Sequence, residues 1–89
     1  MKAIVILYLE REDQVWSKEI DLPFVPLADF NLLLCTNCCD AMRVCAPDDV
    51  EYNAVAGRWE LRPNCDWPAV ISTEEIVKHY ENNGWARDA

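Results

Sequence analysis

Glycine is nearly absent from this chain, with two residues in eighty-nine, Gly57 and Gly84. So few glycines leave no Gly-rich loop to cradle a phosphate, and the sequence holds no G-x-S-x-G elbow either. Basic residues are also scarce, eight Lys and Arg against sixteen Asp and Glu, for a net charge of −8. That field repels polyanions, which excludes sequence-independent DNA or RNA binding and favours partners with basic surfaces. Long apolar runs are missing too. Ala3 to Leu9 stops at Glu10-Arg11-Glu12-Asp13, far short of the roughly 20 residues that span a bilayer and without the cleavage pattern of a secretory signal. The expected location is the cytoplasm, with no membrane association. In that reducing compartment five cysteines, an odd number, are expected as thiols or metal ligands before disulfides.

Aromatic residues are plentiful: four Trp, three Tyr and two Phe in a 52% apolar composition. They supply the large side chains that a short chain must concentrate in its core. The expectation is one domain over residues 1–89, of α+β class, an antiparallel sheet of about five strands with one C-terminal helix on one face.

The strongest local signal is Asp48 to Pro63. Val50 and Tyr52, then Trp59 and Leu61, alternate with polar residues on either side of Asn53 to Gly57, the period-two pattern of a hairpin whose turn uses the positive φ open to Gly57. The four apolar residues are expected to face the core and Glu51 to meet Arg58, Glu60 or Arg62 on the wet face. Ala3 to Leu9, apolar throughout, reads as a central strand covered on both faces. Val15 to Leu22 follows as a strand near an edge, with Lys18 guarding it. Pro23 to Pro26 reads as a buried corner, and Phe30 to Cys35 and Met42 to Ala46 as third and fourth strands joined at Thr36 to Asp40. Ser72 with Glu75 forms a capping box flanked by Ile71 and Ile76; Ile76, Val77 and Tyr80 form a buried stripe, and Gly84 ends the helix with Trp85 folded back.

Chemistry-bearing constellations are thin. Cys35, Cys38, Cys39 and Cys45 lie within eleven residues, followed by Cys65 and the lone His79. Cys35-Thr-Asn-Cys38 has zinc-knuckle spacing, and a complete site would add Cys65 and His79. Cys45 would lie on the order of 10 Å from Cys35 along the paired strand, too far to share an ion. Asp49, Glu51, Asn53 and Glu60 match a calcium-loop count, but the glycine that loop requires is Ala54 here and prolines flank the segment. A thiol enzyme could draw on any cysteine with His79, a choice without specificity.

No cofactor is expected, zinc being the alternative, and no catalytic residue is assigned. Glu19 with Asp21, and Asp49 with Glu51, project in pairs about 6.6–6.8 Å apart. With Asp48 and a partly exposed Trp67 they are the candidate partner-binding residues. The favoured function is a non-catalytic acidic module that occupies a basic, nucleic-acid-binding surface of a protein partner. In general profile it resembles inhibitors carried by phages and mobile elements. A zinc-stabilised module built on Cys35 and Cys38 and a thiol-dependent enzyme are the alternatives.

Overall fold

A computed structural model of the protein describes residues 1–33, 42–64 and 67–88. Their elements are β1 (Lys2–Leu9), a 3-10 turn (Glu10–Glu12), β2 (Gln14–Asp21), β3 (Phe30–Leu32), β4 (Met42–Val44), β5 (Val50–Asn53), β6 (Arg58–Leu61), α1 (Thr73–Asn82) and β7 (Ala86–Arg87). Five strands form the main sheet in the order β5-β6-β1-β2-β7. The chain is a small α+β domain, with a mostly antiparallel sheet and a C-terminal helix, as its patterning predicts.

β1 is central. It pairs antiparallel with β2 from Lys2↔Asp21 to Leu9↔Gln14, and the turn closes through Asp13, whose φ of 51° is one that Asp tolerates better than most residues. The β5–β6 hairpin has the predicted strands, with Val50 opposite Leu61 and Tyr52 opposite Trp59. Its turn is held by Asn53, whose Oδ1 accepts the Val55 and Ala56 amides at 3.0 Å each. Gly57 completes it with φ of 68°.

Three expectations about the sheet are corrected. β6 lies parallel to β1, from Ala3↔Trp59 to Val5↔Leu61; the more apolar strand of the hairpin takes the inner place and leaves Glu51 and Tyr52 at the edge. β3 and β4 form a separate two-stranded sheet. The fifth place in the main sheet goes instead to β7, two residues beyond the helix that pair with Trp16 and Ser17. The proposed connection at Thr36 to Asp40 lies outside the described residues.

One face of the main sheet makes the core. Ala3, Val5, Leu7 and Leu9 of β1 join Trp16 and Leu61, and Val44, Ile76, Tyr80 and Trp85 pack on them. The reverse face of β1 runs from buried Ile4 through half-buried Ile6 to Tyr8, which is 55% exposed. Cover on both faces therefore exists only at the strand's start. Tyr52, expected inside, is 51% exposed because its strand is the sheet's edge, although its ring still meets that of half-buried Trp59 edge-on at 5.0 Å. The Pro23–Pro26 corner is reversed as well: Phe24 and Val25 are exposed and Pro26 is buried. The ladder ends with the Leu22 amide donating to the Met1 carbonyl, since Pro23 has no N–H to extend it, and the Phe24 ring then packs on Phe30, 4.9 Å away.

The helix starts and stops where its signals lie. Ser72 Oγ accepts the Glu75 amide at 3.2 Å, Ile76 is fully buried, and Ile71 packs against the core. At the other end Gly84 has φ of 81°, its amide donates to the Glu81 carbonyl at 3.4 Å and the Trp85 amide to the Tyr80 carbonyl at 3.0 Å. This is a Schellman closure, and Trp85 packs on Tyr80 with ring centroids 5.5 Å apart. No described helix is long and apolar enough to cross a membrane.

Candidate protein-binding face

Strand alternation places Glu51, Glu60, Ile4 and Glu19 in one row across the face opposite the core, each beside the next in register. Glu51 directly opposite Glu60 would be a repulsive cross-strand pair. Arg62 offsets it by donating to Glu60 at 2.7 Å and to Glu51 at 3.2 Å, while Arg58 pairs with Glu19 at 3.3 Å. Asn53 Nδ2 donates to Glu60 at 3.2 Å. That hydrogen bond, then the Arg62 guanidinium, holds the Glu60 carboxyl below the usual carboxylate range. The middle of this face is thus nearly balanced in charge.

The main excess of acid lies at the end of the molecule where β1 turns into β2. Glu10, Glu12 and Asp13 on the turn and Glu74 and Glu75 in the first turn of α1 are all exposed. Thr73 ties the two groups together by donating to Glu12 at 3.1 Å. Arg11, exposed in their midst, donates its guanidinium to the carbonyls of Ile71 at 2.7 Å, Pro68 at 3.4 Å and Trp67 at 3.5 Å. Beside this acidic pole is a cleft of about 680 Å³ with Ile6, Tyr8, Leu9 and Val15 as its apolar lining and Glu10, Arg11, Arg62 and Trp67 at its sides. The Tyr8 hydroxyl donates to Asp13 at 2.5 Å, which raises the phenol's pKa above its ordinary value. Composition gave no sign of the Arg11 clamp. The cleft had one signal, an aromatic with a polar tip at Tyr8, just before a run of charges.

The sequence-derived candidates are dispersed. Glu19, Asp21 and Glu51 share the open face, but Glu19 and Glu51 are already ion-paired. Asp48 is exposed in the turn before β5. Asp49 is half-buried, and its carboxylate accepts the Cys45 amide at 2.8 Å, so it shapes that turn rather than facing a partner. Trp67 is half-buried; its indole N–H donates to the Tyr80 hydroxyl at 2.9 Å and its ring meets His79 at 5.4 Å. It is anchored to the helix and walls the cleft instead of standing free. His79 is half-buried between Trp67 and Tyr80. The zinc alternative's Cys35, Cys38 and Cys65 lie outside the described residues. Cys45 is a half-buried thiol, and among the described residues no three metal-ligating side chains come together. Comparison of the chain with protein-family models, with curated proteins and with solved structures finds no match in any of the three.

Proposed function

We propose that the protein is a non-catalytic acidic binding module that occupies a basic surface of a partner protein, of the kind that otherwise holds nucleic acid. The observation that carries this reading is the acidic pole beside a cleft that Ile6, Tyr8 and Val15 line together with Glu10, Arg11 and Arg62. Carboxylates at Glu10, Glu12, Asp13, Glu74 and Glu75 are exposed, and the arginine among them faces carbonyl groups. Such carboxylates would take the places of phosphates, while the exposed Tyr8 ring supplies the desolvated contact that charge alone does not. Asp48 and Asp21, also exposed, extend the negative field along the sheet.

Long-range charge and short-range packing separate kinetically. With a basic partner recovered by affinity capture from the native host, Glu10→Gln, Glu74→Gln and Glu75→Gln together are expected to slow association about tenfold at low salt and to flatten its salt dependence. Tyr8→Ala is expected to speed dissociation and leave association nearly unchanged. Binding indifferent to salt and to all four positions would refute the reading.

A further inference from the structure

We infer that the outer edge of β5 adds a strand from the partner, an extended segment alternating basic and apolar residues; this deepens the protein-binding reading and rests on it. The Arg62 amide donates to the Asp49 carbonyl at 2.8 Å, which sets the alternation of the hairpin ladder: Glu51 and Asn53 turn their backbone groups toward β6, while Val50 and Tyr52 turn theirs outward. The Val50 amide is taken by the Pro47 carbonyl at 3.1 Å. The Val50 carbonyl and both backbone groups of Tyr52 face away from the sheet, and among the described residues no strand lies beyond β5.

Unpaired edges are usually guarded by Lys, by Pro or by a covering strand. On the far side of the sheet β7 covers Trp16 and Ser17 of β2, Lys18 follows, and Pro23 stands just past that strand. Val50 to Asn53 has neither a lysine nor a proline.

The side chains along this edge define what fits. Glu51 is exposed on one face, and Tyr52, 51% exposed and braced by Trp59, lies on the other. Glu51 and Glu60 share the single Arg62 guanidinium, so this corner of the sheet keeps a net negative charge. An added strand would set a Lys or Arg beside Glu51 and an apolar residue beside Tyr52, the two cross-strand pairings that stabilise. A second copy of the chain is disfavoured, because it would bring another Glu51 and another net charge of −8.

The probe is the peptide acetyl-Lys-Val-Lys-Val-Lys-amide, followed by amide NMR of the whole protein. Shifts centred on Val50 to Asn53 are expected, and at about ten times the Kd the Tyr52 amide should exchange about tenfold more slowly. Replacing both valines by N-methylvaline removes the donors that face β5 and should abolish those shifts. Glu51→Lys should switch the preference to the analogue with Glu in place of Lys. Equal binding of the N-methylated peptide, or no shift at the edge up to about a millimolar peptide, would overturn the inference. Shifts confined to Tyr8, Val15 and the Trp67 indole would overturn it too, while leaving the acidic binding reading intact. Loss of salt-dependent partner binding would remove that reading itself.

Discussion

Arg11 shows how one side chain can determine a surface. By donating to the carbonyls of Ile71, Pro68 and Trp67 it secures the irregular segment before α1 and forms no ion pair with its acidic neighbours that would hold their carboxylates in place. Arg11→Gln is expected to cost about 1–2 kcal/mol and to speed amide exchange around Ile71; unchanged exchange there would mean that Trp67 alone holds the segment. Burial separates Leu61 from Tyr52 in the hairpin. Leu61 is fully buried and Leu61→Ala should cost about 2–5 kcal/mol, whereas Tyr52→Ala, at a position 51% exposed, should cost about 1 kcal/mol in urea unfolding. Glu60 offers a test by titration. Its folded pKa lies below the unfolded one, so its contribution to stability is complete above the ordinary carboxylate range and is lost as pH falls through the folded value. Asn53→Asp keeps the turn acceptor but removes the donor to Glu60. The Glu60 carboxyl should then titrate at higher pH by carbon NMR; an unmoved titration would assign the shift to Arg62.

Helix ends and hairpins were readable because their causes are local. Ser72, Glu75, Gly84 and Trp85 each act within one or two turns of α1, and the observed caps use those residues. Ser72→Ala should therefore cost about 0.5–2 kcal/mol. Gly84→Ala should cost about 1–2 kcal/mol from its backbone conformation alone, since an added Cβ would have only Lys18 Nζ near it, at 3.9 Å. Thermal melts of the two variants check both figures, and a neutral Gly84→Ala would mean that the helix end readily adopts another closure. What the sequence pattern missed is long-range. Nothing near Trp59 says that its strand runs parallel to β1, and two residues at Ala86 and Arg87 are too few for any periodicity. The site followed the same rule. Single exposed carboxylates such as Asp48 were legible, but the pole forms only because Thr73 meets Glu12 across the fold, and the ion pairs of Glu19 and Glu51 depend on strand register.

At the scale of the whole molecule, sixteen acidic residues against eight basic ones repel one another within a small volume. Raising ionic strength from about 0.01 to about 0.15 M shortens the screening length from about 30 to about 8 Å, so the melting temperature should rise with added sodium chloride. A melting temperature independent of salt would show that internal ion pairs already offset the repulsion. The parallel pairing of Ala3 with Trp59 also sets a timetable for the nascent chain. The β1–β2 hairpin can close as soon as Asp21 leaves the ribosome, yet the other edge of β1 stays open until Leu61 follows it. Throughout that interval an apolar strand is paired on one side only, which is the condition under which chains in synthesis mispair. The charges of Lys2 and of Glu10 to Asp13 at its two ends are then the protection that β6 later makes unnecessary.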